Sequence, residues 1–268
     1  MRISPRAFFI ATVLILFWNT QGFSQLPFYT DDADTTEKGK FHLEVYNEHD
    51  VLQKSAYPTK RQNTVVFTLN YGLTSKLELG INAPVITLVN SIVVPPKTVS
   101  GQGDTQFGLK YRLHDETEGS KVPALSVVFY VEAPTGNRAK QLGSGLVDYW
   151  LYGIAQKSMT KNTKARVNGG VLFSGNNSTG LIGLETERGH IFTGNLSLVR
   201  DFTDRLKLGA EIFGAVADNF KLNRGQLTGQ LGGDYLISQK LTLTFGLLAG
   251  RFSASPRAGV HIGFAYDF

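Results

Sequence analysis

The sequence predicts an all-β fold, a single transmembrane antiparallel β-barrel of about twelve strands. Three observations predict it: apolar and polar residues alternate from Gly39 to Phe268, turn residues separate the alternating runs, and short connections alternate with long ones. Alternation with period two places successive side chains on opposite faces of a strand. The composition agrees, since 29 glycines, 11% aromatic residues and 18% charged residues suit strands and tight turns.

The first 24 residues have the pattern of a secretory signal peptide. Arg2 and Arg6 give a positively charged start, and Ala7–Trp18 is an apolar stretch. Gly22 and Ser24 are small residues at the spacing that predicts cleavage after Ser24. An uncleaved anchor is the alternative, but this stretch is shorter than the roughly 20 residues that a spanning helix needs.

Cleavage there divides the rest of the chain into a periplasmic N-terminal segment, residues 25–38, and an outer-membrane barrel, residues 39–268. Loss of two arginines lowers the net charge from +5 to +3. That balance gives no reason to expect nucleic acid as a partner. The sequence has no cysteine, which excludes disulfides and thiolate metal sites.

Each predicted strand has an apolar face for lipid and a polar face for the barrel interior. In the first strand Phe41 and Leu43 alternate with His42 and Glu44. The sixth predicted strand, about 146–156, has aromatic residues at consecutive positions, so the sequence leaves its phase open. The charged or titratable residues expected to face inward, lining a solute path or filling the interior with ion pairs, are His42, Glu44, Glu78, Lys110, Arg112, Glu132, Arg166, Lys207, Glu211 and His261.

The lengths of the connections predict the orientation of the barrel. Short links should be periplasmic turns, and long links should be outer loops. Short links follow even-numbered predicted strands, at 73–76, 201–204 and 238–240, and long links follow odd-numbered ones, at 50–61, 84–101, 134–145 and 174–189. The apolar part of the second long link, Val85 to Val94, either folds into the interior or extends the neighbouring strands.

The C-terminal strand resembles the signal by which outer-membrane barrels are delivered to the barrel assembly machinery. Phe264, Tyr266 and Phe268 form the end of an alternating apolar series. Phe268 also joins Tyr71, Tyr111 and Tyr235 in a predicted girdle of aromatic side chains at the periplasmic interface. We therefore expect outer-membrane lipid and the assembly machinery as partners.

An acidic cluster precedes the first predicted strand. Asp31, Asp32 and Asp34 lie within four positions. Their carboxylates suit a cation site or a plug element at the periplasmic mouth, whereas the alternative is a capped turn that fixes the entry to the strand. We favour the turn, and the spacing of these residues does not match an EF-hand calcium loop.

Several phrases of the sequence resemble the outer-membrane family named for the meta-pathway (MetA-pathway) of phenol degradation, whose members are often labelled as transporters. The phrases are Pro27–Ala33 followed by Gly39–Glu44, then Tyr71–Gly80, Gly103–Asp104 with Gly108–Arg112, Pro134–Gly136 and Leu208–Glu211. The resemblance spans nearly the whole chain after residue 24. It implies uptake of aromatic or other small organic molecules.

The sequence thus favours a passive channel or transporter for small molecules, hydrophobic or aromatic ones among them. One alternative is a structural or surface-interaction barrel with a filled interior. Another is a lipid-modifying enzyme, which needs a serine, a histidine and an acid that converge at the lipid face. No residue is assigned a catalytic role, and no cofactor or metal is expected, because no phosphate-binding loop, dinucleotide motif or metal-ligand spacing occurs.

Overall fold

A computed structural model of the chain describes residues 27–56, 59–91, 97–174, 189–217 and 225–268. The predicted signal peptide and its cleavage site lie outside this part. The described residues form thirteen β-strands: β1 (Phe41–Leu52), β2 (Arg61–Gly72), β3 (Leu77–Val89), β4 (Val99–Gln102), β5 (Thr105–His114), β6 (Ala124–Ala133), β7 (Asp148–Thr160), β8 (Thr163–Ser174), β9 (Gly189–Asp201), β10 (Leu206–Ala217), β11 (Gln226–Ser238), β12 (Leu241–Gly250) and β13 (Pro256–Asp267).

The sheet closes on itself. β1 pairs with both β2 and β13, β2 pairs with β3, and β3 pairs with β5, after which each strand pairs antiparallel with the next one up to β13. Closure pairs the backbone groups that an open sheet would leave unpaired at its edges, as a lipid environment requires. Twelve strands make up the barrel, which confirms the predicted fold.

The remaining strand, β4, lies beyond the barrel wall. Leu77–Asn82 of β3 pair with β5, whereas Val85–Leu88 of the same strand pair with β4. The apolar part of this long link therefore extends a strand past the closed barrel, as one of the two expectations for it stated. Residues 92–94 of that link lie outside the described residues.

The two faces of the wall follow the predicted alternation. Outward apolar side chains are exposed, for example Phe67 at 46% and Leu231 at 65%, whereas inward Lys110 is 4% exposed. The structure also fixes the phase of β7, which the sequence left open. Tyr149 is exposed and faces outward, and Tyr152 is buried and faces inward.

Connections of different length separate at the two ends of the barrel. At one end, which we call the turn end, the links are 73–76, 115–123, 161–162, 202–205 and 239–240. At the opposite loop end lie the links 53–60, 90–104, 134–147 and 251–255, together with the end of β8, the start of β9, the end of β10 and the start of β11. The orientation predicted from the sequence places the turn end at the periplasm and the loop end outside the cell, and it stays a prediction.

Aromatic residues join the first and last strands at the turn end. The Phe41 ring lies 4.7 Å from the Tyr71 ring and 5.5 Å from the Phe268 ring. The backbone N–H of each of Phe41 and Phe268 donates to the carbonyl of the other, at 2.8 and 3.0 Å. Phe268 thus completes the seam that closes the barrel.

Within the described ranges, no helix has the length and apolar character needed to cross a membrane.

Candidate functional site

Residues 27–36, which precede β1, lie inside the barrel. Lys38 forms a bridge with Gly72 at the turn end, and from there residues 27–36 extend into the interior. Thr30 and Ala33 are 0% exposed. A Cβ atom on Gly72 would overlap the carbonyl oxygens of Thr36 and Glu37, so the absence of a side chain there lets the segment enter. We call residues 27–38 the inner segment.

The acidic cluster of the inner segment faces cations of the wall. Lys110 Nζ on β5 lies 3.0 Å from Asp31 Oδ1 and 3.3 Å from Asp32 Oδ1. Arg166 Nη2 on β8 lies 3.5 Å from the second Asp32 oxygen. The wall therefore neutralises these carboxylates with its own charges, as buried ions require.

The third acid of the cluster combines a wall contact with a local turn. Asp34 Oδ1 lies 3.7 Å from Arg112 Nη2, and its other oxygen accepts from Gln156 Nε2 at 3.2 Å. Its backbone N–H donates to Asp32 Oδ1 at 3.1 Å, which is a turn of the kind that aspartate favours.

Carboxylates of the wall also hold the inner segment, and here the segment supplies the hydrogen-bond donors. Glu211 on β10 accepts from the backbone N–H groups of Tyr29 and Thr30, at 2.9 and 2.8 Å, and from the Thr30 hydroxyl at 2.7 Å. Glu78 on β3 accepts from the N–H and hydroxyl of Thr36, at 2.6 and 2.8 Å. Hydrogen bonds to an ionised acceptor are stronger than neutral ones.

Neutral side chains of the wall bond the remaining polar backbone of the segment. Ser126 Oγ donates to the carbonyl of Ala33 at 2.6 Å, and Gln230 Nε2 donates to that of Pro27 at 2.6 Å. Asn195 Nδ2 donates to the carbonyl of Tyr29 at 3.1 Å. Together with the charged contacts, these bonds join the segment to β3 and to every strand from β5 to β11.

The other residues predicted to face inward do so away from these contacts. His42 Nδ1 lies 2.6 Å from Asp267 Oδ1, and its Nε2 lies 2.9 Å from Glu44 Oε1. Glu132 accepts from Gln106 Nε2 at 2.6 Å. The structure thus separates the predicted set into residues that hold the inner segment and residues that pair within the wall.

His261 and Lys207 complete that set. His261 is 3% exposed, stacks on the Tyr46 ring with centroids 4.6 Å apart, and has its Nδ1 3.7 Å from Glu48 Oε2. The Tyr29 hydroxyl also donates to Glu48, which connects this pair to the inner segment. Lys207 lies on the inward face of β10, between the outward Leu206 and Leu208.

Sequence reasoning missed the inward apolar residues that pack on the segment. Phe213 on β10 is 6% exposed and lies with its ring 4.6 Å from the Tyr29 ring. Ala33 is buried in a cluster with Val128 and Ile154. The sequence signal for such residues is an apolar side chain at an inward position of a strand, where the alternation predicts a polar one. It indicates packing against a part of the protein inside the barrel.

Three aromatic side chains of β6 and β7 also face the interior. Tyr152 lies with its ring 5.2 Å from Trp150 and 6.3 Å from Tyr130, and its hydroxyl donates to Asp31 Oδ2 at 3.1 Å. A Cβ atom on Gly108 of β5 would overlap the Tyr130 ring, so that glycine makes room for it. We call these three residues the aromatic shelf. Tyr130 and Trp150 are partly exposed.

At the loop end, the link 134–147 folds back on the β3–β4 hairpin. Leu142 is 1% exposed and packs with Ile86, Leu88 and Val99. The carboxylate of Asp104 accepts from the backbone N–H groups of Gly136 and Ser144, at 2.8 and 2.7 Å. Because Ile86 and Leu88 continue the inward parity of β3, this link covers the interior side of the hairpin.

In chemical terms the interior is a polar, charge-paired wall with an aromatic patch. In the part of the chain that the structure describes, no group of three or more acidic or histidine side chains has the arrangement of a metal site. Both inward histidines contact carboxylates inside the barrel rather than at the lipid face.

Residues 69–268 match the model of a family described as "Putative MetA-pathway of phenol degradation". None of the curated proteins matches the sequence.

Among solved structures, the COG4313 outer membrane channel from Pseudomonas putida F1 is similar at a TM-score of 0.66 and 16% identity, over 88% of this chain and 98% of that one. The NanC porin has a TM-score of 0.56 and 9% identity, over 84% and 98%. The KdgM porin, in complex with disordered oligogalacturonate, has a TM-score of 0.52 and 12% identity, over 85% and 99%. At these identities the likeness establishes a shared barrel fold.

Proposed function

The chain belongs to the phenol-degradation family whose model it matches, and from this and its interior we propose that it is a passive channel of the bacterial outer membrane for small molecules. The observation that carries the proposal is the pairing of a polar wall with an exposed aromatic patch inside a closed twelve-stranded barrel. Eight-stranded barrels are filled by their own side chains, and barrels of 16 or more strands leave an aqueous channel, so twelve strands suit a narrow path.

The aromatic shelf supports small aromatic or hydrophobic solutes as the class that passes. Tyr130 and Trp150 lie on the inward face with their ring centroids 6.4 Å apart and are partly exposed, and the ring of a solute gains contact area and offset stacking on aromatic rings. Because Tyr130 and Trp150 are only partly exposed, the contact area for a solute is limited and binding is weak enough for release.

The inner segment occupies part of this path, so a solute needs the segment to move or to leave room beside it. The segment is held mainly by hydrogen bonds and ion pairs rather than by a large apolar core. Polar contacts of this kind exchange readily with water once one of them opens. Reversible release of the segment would turn a narrow path into a wider one.

Conductance tests the path directly. Residues 25–268 are refolded into a planar bilayer, alongside Glu211→Ala and Arg166→Ala variants. We expect a steady conductance in the parent protein and a larger one in both variants, because each removes a contact of the inner segment. A correctly folded barrel without conductance in all three proteins would contradict a water-filled path.

The solute class is tested with the aromatic shelf. Trp150 is the one tryptophan after residue 18, so its fluorescence reports on the shelf alone. We expect phenol and toluene to quench it with saturation, and Tyr130→Ala to weaken that binding. The matched control is Tyr149→Ala, which removes an aromatic ring from the lipid face of β7. Equal effects of both substitutions would reject the shelf as the binding site.

A second candidate is a structural or surface-interaction barrel with a filled interior. The extent of contact between the inner segment and the wall favours it. It predicts no conductance and no solute flux in any variant that retains the segment.

The proposal includes no enzymatic activity. A lipid-modifying site needs a serine, a histidine and an acid that converge at the lipid face. His42 and His261 are each 3% exposed inside the barrel, with carboxylates beside them. On the outward face, His49 Nδ1 lies 3.3 Å from Asn63 Oδ1 and the His190 ring lies 4.8 Å from the Phe173 ring, so neither of these contacts is with a serine or an acid. This supports a channel over an enzyme. Hydrolysis of phospholipid by the purified barrel, lost on substitution of a serine, would overturn that choice.

A further inference from the structure

A basic pocket lies at the loop end, outside the interior described above. It has a volume of about 420 Å³ and is formed by the 3-10 turn Lys54–Ala56, which follows β1, and by the link between β12 and β13. This volume is in the range of small-molecule sites. Gln53 Nε2 donates to the carbonyl of Gly250 at 2.9 Å and fixes one wall of the pocket to the other across β13.

The pocket is lined by three cations and no acid. Lys54, Arg251 and Arg257 are all exposed, and the neutral lining includes Gln53 and Ser55. Over the described ranges, none of the three cations is in an ion pair. The nearest carboxylate along the strand register is that of Asp50, which pairs with Gly259 on β13 but is 6% exposed and faces the interior.

A serine hydroxyl in the lining is available to a ligand. Ser253 Oγ is buried and has no hydrogen-bond partner among the residues that the structure describes. A buried hydroxyl without a partner is costly, and an anion bound in the pocket would accept from it. The cations and this hydroxyl together form the donor set that a phosphate group prefers.

The position of the pocket connects it to lipid. The backbone N–H of Arg251 donates to the carbonyl of Leu227, which is lipid-facing and 40% exposed, so Arg251 continues the outward row of β12. Below it in that row lies Leu247, which pairs with Val260 of β13, and both are at least half exposed on the outer wall. A lipid with its acyl chains on this apolar strip would place its headgroup at the pocket.

The two ends of the barrel differ in exposed charge, and the end that holds the pocket is the basic one. At the turn end, exposed acids occur among exposed bases: Glu37, Asp115, Glu118 and Asp204. At the loop end, every exposed Asp, Glu, Lys or Arg within the described residues is basic: Lys54, Lys60, Arg61, Lys97, Arg138, Lys140, Arg251 and Arg257. Basic clusters at a membrane surface attract anionic headgroups.

We propose that the pocket of Lys54, Arg251, Arg257 and Ser253 binds a phosphate monoester carried by a glycolipid of the outer leaflet. The arginines form bidentate bonds to the phosphate oxygens, Lys54 adds a third cation, and the half-buried Phe252 ring packs on the sugar. This site is independent of channel activity and rests only on the orientation of the barrel.

The test measures binding of diphosphoryl lipid A to the refolded protein by native mass spectrometry in detergent. The pocket variant carries Lys54→Gln, Arg251→Gln and Arg257→Gln. The matched control carries Lys97→Gln, Arg138→Gln and Lys140→Gln, which removes the same charge from another sector of the loop end. We expect the pocket variant to bind about ten-fold more weakly or worse, and the control to change by less than about two-fold.

Two further arms identify the source of the phosphate. Lipid A without phosphates should bind the parent protein no more tightly than the pocket variant, and millimolar inorganic phosphate should leave lipid A bound. Displacement by inorganic phosphate would assign the pocket to a soluble anion and overturn the lipid. Equal losses in the pocket and control variants would overturn the site. If the triple variant does not fold, Arg251→Gln and Arg257→Gln are measured singly.

Discussion

The carboxylate of Glu211 on β10 accepts two hydrogen bonds from Thr30, one from the backbone N–H at 2.8 Å and one from the hydroxyl at 2.7 Å, although the two residues are 181 positions apart. This contact anchors the inner segment at the depth where Tyr29 also meets Phe213. Glu211 is therefore one of the wall residues that fix the position of the inner segment.

Glu211→Gln should loosen the inner segment. The amide keeps one acceptor oxygen but loses the charge, so docking of the segment weakens by about 2 kcal/mol. We expect faster cleavage of residues 27–38 by an added protease and more frequent conductance steps. Glu132→Gln is the control, because Glu132 bonds to Gln106 and not to the segment. Equal protease sensitivity in the two variants would show that Glu211 does not anchor it.

Lys110→Met should destabilise the folded barrel strongly. Lys110 is the partner of both Asp31 and Asp32, and its loss leaves Asp31 without a cation and Asp32 with Arg166 alone, at a cost of about 3–5 kcal/mol. Unfolding in urea from lipid vesicles measures this. Asp32→Asn in the same chain should recover part of the loss, with a coupling energy of about 1–3 kcal/mol.

The control for that pair is Lys157→Met at the turn end. Lys157 pairs with Glu116 at a more exposed position, so its loss should cost less than about 1 kcal/mol. Simple additivity of the Lys110 and Asp32 substitutions would contradict a direct charge interaction between them.

Gly108→Ala should displace the Tyr130 ring from its position against β5. The added Cβ overlaps the ring, and overpacking of this kind costs about 1–3 kcal/mol in the free energy of unfolding. Combining it with Tyr130→Ala removes the overlap and should cancel most of the cost. Gly153→Ala is the control, since a Cβ atom there has no atom within 4 Å. The same loss in Gly153→Ala would point to backbone effects instead.

The turn between β5 and β6 should confer a small pH dependence. Burial raises the pKa of Glu116, but hydrogen bonds from the Lys157 ammonium and from Ser158 outweigh it and hold the pKa below its ordinary value. The ionised carboxylate is thus favoured in the folded protein. Its stabilisation is present above the ordinary carboxylate pKa of about 4.3 and is lost as the pH falls through the lowered pKa.

Comparison of the parent protein with Glu116→Gln at pH 7 and pH 3 measures this contribution. We expect the variant to be less stable by up to about 1 kcal/mol at pH 7, and the difference from the parent to be smaller at pH 3. A difference that is unchanged at pH 3 would assign the effect to packing rather than charge.

The sequence by itself determined the wall of this barrel. The faces of β1, β5 and β13 follow from period two alone, because a strand between lipid and a polar interior must alternate. The count of alternating runs gave the number of barrel strands, and the lengths of the connections predict their direction. The sequence did not determine which residues of β7 face the lipid, because Tyr149, Trp150 and Tyr152 place aromatic side chains on both faces. Alternation of polarity cannot distinguish the two faces there.

Only the tertiary structure decided what the interior holds. Asp31, Asp32 and Asp34 have the same local pattern whether they cap a turn or enter the barrel, and their partners Lys110, Arg112 and Arg166 are far away in sequence. The alternation that identifies a strand arises from neighbours along one chain. Contacts between the inner segment and the wall arise only once the twelve strands close, because closure alone brings those side chains around a common axis.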